Sequence, residues 1–73
     1  MTQSIYSNKY KEVVQKLKKA RIEVCLTQVD VSKKLKKPQS YISKIERSER
    51  RVDVAELAIL AKLYKKDINY FIK

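Results

Sequence analysis

The chain has 73 residues, with 18 Lys and Arg against 8 Asp and Glu, a formal charge of +10, 44% apolar residues, one cysteine, and no histidine or glycine. That length fits one small domain, burying only about 60% of its unfolded surface, and the apolar content is too high for a disordered basic tail. Without histidine the usual general base near neutral pH is missing. Cys25 alone makes neither a disulfide network nor a zinc site, so no enzyme, metal or cofactor is expected.

Tyr6, Tyr10, Val13, Leu17, Ala20, Arg21 and Val24 recur at spacings of three and four, predicting a first helix over about 4–24. Lys9, Lys11, Lys16, Lys18 and Lys19 lie on its other side, and Arg21 falls on the apolar stripe. Thr27 with Asp30 three residues on is a near relative of the capping box and opens a second helix of about 27–36. Val31 and Leu35 face inward on it, and its lysines gather at the C-terminal end, where cations complement the helix dipole.

Pro38 disfavours helix at Lys37 and suits the first turn of a new one, predicting a third helix over about 38–47. Tyr41, Ile42, Ile45 and Glu46 follow helical spacing there, with Gln39, Ser40, Ser43, Lys44 and Arg47 on the other side. Asp53 and Glu56 form another capping signature, leading a fourth helix of about 53–65 through Val54, Leu57, Leu60, Ala61 and Tyr64. Asp67 caps a last short turn with Ile68, Phe71 and Ile72. The expectation is an all-α, five-helix, single domain over 1–73 with no strand and no repeat.

The joint between the second and third helices is about two residues, which forces a steep crossing of the helix-turn-helix kind. Ser32 is the small residue that lets them approach, and Ile42 and Ile45 bury the inner face of the third helix. The outward Gln39, Ser40, Ser43 and Lys44 then suit a DNA major groove: glutamine pairs with adenine, lysine with guanine, serine with either kind of edge. Gln28, in the first turn of the second helix, stands where amides and dipole attract phosphate. Lys37, Tyr41, Arg47, Arg50 and Arg51 are the further phosphate contacts expected, within a belt that also holds Lys33, Lys34 and Lys36.

The stretch LTQVDVSKKLKKPQSYISKIERSERR, residues 26–51, resembles the lambda-repressor-like helix-turn-helix family, which includes Cro, phage repressors and the xenobiotic-response-element-type regulators. Arg21, Leu26, Thr27, Gln28, Val31, Ser32, Leu35, Ser40, Ile42, Ser43, Ile45 and Glu46 fall on the family pattern without a gap, and the similarity extends over about 13–72. The resemblance implies a five-helix domain that binds operator double-stranded DNA as a two-fold homodimer, with Gln28 on a phosphate and Gln39, Ser40, Ser43 and Lys44 facing bases. It implies a partly buried Arg21–Glu46 ion pair too, for which the residues give their own reason: both occupy otherwise apolar faces, and a buried charge needs a partner.

Four family glycines are replaced, by Cys25, Lys36, Ser48 and Lys65, and the usual proline before the fourth helix is absent near Val52. A left-handed backbone there costs a non-glycine residue about 1–2 kcal/mol, so either those corners are rebuilt or the domain is less stable than its relatives. Tyr10, Tyr64 and Phe71 are expected in the core, and Tyr6, Ile68, Tyr70 and Ile72 are candidates for a dimer seam. Cys25 is expected as a structural small hydrophobe.

The alternative reading keeps the fold and makes it a protein-interaction module, such as an antitoxin or accessory factor, whose basic face holds an acidic protein. A membrane partner is not expected: no apolar run approaches the roughly 18 residues of a span, and the tyrosine and valine side of the basic first helix, which could meet an anionic lipid surface, is needed by the core. MTQSIYSNKYKE has no apolar h-region, so no signal peptide is expected, and a lone thiol fits a cytoplasmic location.

Overall fold

The structure, a computed structural model, describes residues 8–72. Among them are five helices and no strand: α1 Asn8–Glu23, α2 Gln28–Leu35, α3 Gln39–Glu46, α4 Val54–Leu63 and α5 Ile68–Ile72. The expected all-α order is present, and the middle helices are trimmed at their ends by their own caps. Tyr6, expected on the first helix, lies outside the described residues.

Side-chain caps start α2 and α4. The Asp30 amide donates to Thr27 Oγ1 at 3.0 Å, and the Thr27 amide donates back to Asp30 Oδ2 at 2.9 Å. The Glu56 amide donates to Asp53 Oδ1 at 2.7 Å, with the Asp53 amide returning to Glu56 Oε1 at 3.0 Å. Each such cap contributes about 1 kcal/mol. Asp67 Oδ1 accepts from the Asn69 amide at 2.8 Å and turns the chain into α5. Pro38 precedes α3 with φ −66° and extended ψ, giving no side-chain cap.

The C-terminal ends of α1 to α4 share one solution. Cys25, Lys36, Ser48 and Lys65 all have left-handed backbone, with φ of 61°, 57°, 61° and 60°. In each case the left-handed amide bonds back three residues and the next amide bonds back five, as in Lys36 to the Lys33 carbonyl and Lys37 to the Ser32 carbonyl. These are Schellman motifs. The corners are not rebuilt, and four non-glycine residues hold a conformation that costs each about 1–2 kcal/mol. Cys25 is exposed at its corner, so it is not the packed small hydrophobe expected.

Leu17 and Ala20 of α1, Val31 of α2, Ile42 and Ile45 of α3, Leu60 of α4, Tyr64 and Phe71 close one core. Ser32 is buried at the α2–α3 crossing, its hydroxyl donating to the Gln28 carbonyl at 2.9 Å. Ile68 and Tyr70 pack against the core, and only Ile72 of the described seam candidates is exposed. Tyr10 is half-buried instead of sealed in the core. Its hydroxyl donates to the Arg50 carbonyl and accepts from the Val52 amide, both at 3.0 Å. That pair of bonds pins the α3–α4 loop where a proline was missing.

Candidate nucleic-acid interface

α3 is fastened to the rest of the molecule by two polar clusters. Near its C-terminal end, Arg21 Nε and Nη2 donate to Glu46 Oε2 and Oε1 at 2.7 and 3.1 Å, a bidentate pair across α1 and α3. Arg21 Nη1 donates to the Leu26 carbonyl at 2.7 Å, and Gln28 Nε2 donates to Glu46 Oε1 at 3.0 Å. The two charged side chains are only 10% and 5% exposed. Among the described residues no buried side-chain nitrogen or oxygen lacks a partner. The hydrogen bond to Glu46 raises the Arg21 pKa further, so the guanidinium stays charged despite burial.

In its first turn, α3 leans on α4 through Tyr41. The ring is buried and the hydroxyl donates to Glu56 Oε2 at 2.8 Å. Arg50 Nη1 reaches the same carboxylate at 3.2 Å while its guanidinium stacks on the Tyr41 ring, 4.6 Å from the centroid. Burial, with the adjacent Glu56 carboxylate, pushes the Tyr41 phenol up to about 12. Burial also pushes Glu56 up, but the Asp53 amide, the Tyr41 hydroxyl and Arg50 together outweigh it and hold the carboxyl below its ordinary range.

These clusters leave one edge of α3 outward. Gln39, Ser40 and Lys44 are exposed and Ser43 is half-buried. Lys37, Ser40, Lys44 and Arg50 line a shallow depression of about 480 Å³, with Pro38, Tyr41 and Glu49 also in its wall. Lys37 and Arg51 are exposed. Arg47 pairs with Glu49 at 3.2 Å, both side chains more than half exposed, a contact worth little in water. Gln28 uses one amide proton on Glu46 and keeps a second, since a carboxamide nitrogen carries two.

Tyr41 requires a correction. The residue is only 8% exposed and its only proton goes to Glu56, so it supports α3 from beneath and is not placed to hold a phosphate. Arg50 is drawn partly the same way, with its side chain 40% exposed and its Nη1 on the Arg51 carbonyl and Glu56. Sequence reasoning missed Glu56 in this role. Its spacing from Asp53 marked it as a cap partner, and no local pattern signals a contact with a tyrosine 15 positions away.

Among the described residues no helix is long and apolar enough to cross a membrane. No curated protein matches the chain. A family model described as Helix-turn-helix (HTH_3) matches residues 17–71. That span holds α2, the turn, α3 and α4 whole, with the C-terminal half of α1 and most of α5; the chain belongs to the lambda-repressor-like helix-turn-helix family of DNA-binding transcriptional regulators.

Proposed function

We propose that the protein is a sequence-specific repressor or autoregulator that binds a pseudo-palindromic operator as a homodimer. One α3 from each copy enters one of two successive major grooves, about 34 Å apart, and regulation follows from occupancy of the site. The observation that carries this reading is the exposed edge Gln39, Ser40 and Lys44 on a helix fixed at both ends. Gln39 suits the paired acceptor and donor of adenine, Lys44 the two acceptors of guanine, and Ser40 either edge. Ser43, half-buried, reaches less far. Lys37, Arg47, Arg51 and Gln28 take phosphates, with Arg50 joining them through its open side.

Selection of bound duplexes from a random library tests the reading, with a palindromic consensus expected. Gln39→Ala is expected to relax one position of each half-site at a cost of about 1–3 kcal/mol; an unchanged consensus would overturn the assignment. Affinity is expected to fall steeply with salt as counterions are released from DNA.

A further inference from the structure

The Tyr41 ring carries two cations. The Arg50 guanidinium lies 4.6 Å from its centroid and the Lys37 ammonium 5.5 Å, both within reach of cation–π attraction. Lys37 comes from the turn after α2 and Arg50 from the loop after α3, so one side chain of α3 gathers charge from both flanking segments. We infer that Tyr41 is a positioning residue whose ring holds Lys37 and Arg50 as a preset seat for one backbone phosphate of duplex DNA, an inference that rests on the assignment of both cations to phosphates above.

The bonds of Arg50 fix which edge it offers. Nη1 donates to the Arg51 carbonyl at 2.9 Å and to Glu56 Oε1 at 3.3 Å, with Glu56 Oε2 at 3.2 Å. Among the described residues the guanidinium makes its hydrogen bonds through Nη1 alone. That leaves Nε and Nη2, the side-by-side donors that two phosphate oxygens match. With the ring under its face and Glu56 on Nη1, little rotamer freedom remains to be lost on binding.

Charge gives the seat its sign. Lys37, Lys44 and Arg50 share the wall of the depression with Ser40, and like charges so close repel. Glu56 forms its ion pair with Arg50. Glu49, the one acid in that wall, is drawn to Arg47. Three cations to one acid make the depression positive, and an anion in it relieves the repulsion. Ser40 stands in the same wall and on the outward edge of α3, so a phosphate held there fixes the register in which that edge meets the bases.

Affinity for a random-sequence duplex tests the inference, since phosphates are alike in every sequence and neither operator nor homodimer is needed. Lys37→Ala and Arg50→Ala are each expected to lower the salt slope of binding by about 1. In a Tyr41→Leu background the affinity lost on either substitution is expected to shrink about threefold or more, because the cations no longer share a support. In a Tyr41→Phe background, which keeps the ring and drops the bond to Glu56, the full loss is expected to return. A merely structural Tyr41 gives equal losses in all three backgrounds, and that result overturns the seat. So does a Phe background that behaves like the Leu one. Unchanged salt slopes in both single variants would sink the phosphate assignment itself, and the seat with it. Should Tyr41→Leu not fold, NMR of the wild type takes its place: upfield ring-current shifts of the Lys37 and Arg50 methylene protons are expected to persist on the duplex, and random-coil shifts there overturn the seat.

Discussion

The two clusters that hold α3 use similar chemistry in different surroundings. Around Arg21 and Glu46 a full ion pair is shut away from water, with Arg21 bonded to Glu46 and the Leu26 carbonyl and Gln28 donating to Glu46 as well. Around Tyr41 and Glu56 a neutral hydroxyl takes the buried side of the carboxylate, while Arg50, 40% exposed, approaches from solvent. Burial separates them. Removing one partner of the first strands a charge in the interior, whereas water can repair much of the second.

The largest expected effect tests that contrast directly. Arg21→Ala should cost about 3–5 kcal/mol in denaturant unfolding, because Glu46 is left buried and uncompensated, while Lys18→Ala on the exposed side of α1 should stay within about 0.5 kcal/mol. Equal midpoints for the two would erase the contrast. Tyr41→Phe removes one hydrogen bond and keeps the buried ring, so a loss of about 1 kcal/mol is expected.

The pH profile sharpens the comparison further. Glu56 and Asp30 have folded pKa values below their unfolded ones, Asp30 chiefly through the Thr27 amide. Their contribution is complete above the ordinary carboxylate range and is lost as pH falls through the depressed values. Tyr41 is shifted the opposite way, to about 12. Its contribution is complete below the unfolded phenol value of about 10 and is lost as pH rises toward 12. Melting temperatures should therefore decline at both extremes, and Tyr41→Phe should shallow the alkaline decline. Tyr10 and Tyr64, also raised by burial, sustain the rest of it.

A last effect, opposite in sign, touches neither cluster directly. Ser48→Gly, at the left-handed corner just past α3, should gain about 1 kcal/mol and raise the melting temperature by about 4–8 °C. A loss of stability there would show that the Ser48 side chain offsets its backbone strain.

Helix ends were legible because Thr27, Asp30, Asp53, Glu56 and Pro38 act locally, through bonds spanning a few residues. The Arg21–Glu46 contact was legible because two charges on apolar stripes need one another. Tyr41 was misread because its position borders the inner and outer sides of α3, and the deciding partner comes from another helix. The corners at Cys25, Lys36, Ser48 and Lys65 stood as an open choice. A strain of about 1–2 kcal/mol per residue is small enough for a pair of backbone hydrogen bonds to offset.

Glu56 has two tasks in one carboxylate: Oε1 closes the first turn of α4, and Oε2 receives the hydroxyl beneath α3. α3 and α4 are thereby geared to a common pivot. A pull on Arg50 from the solvent side would therefore be felt by both helices at once.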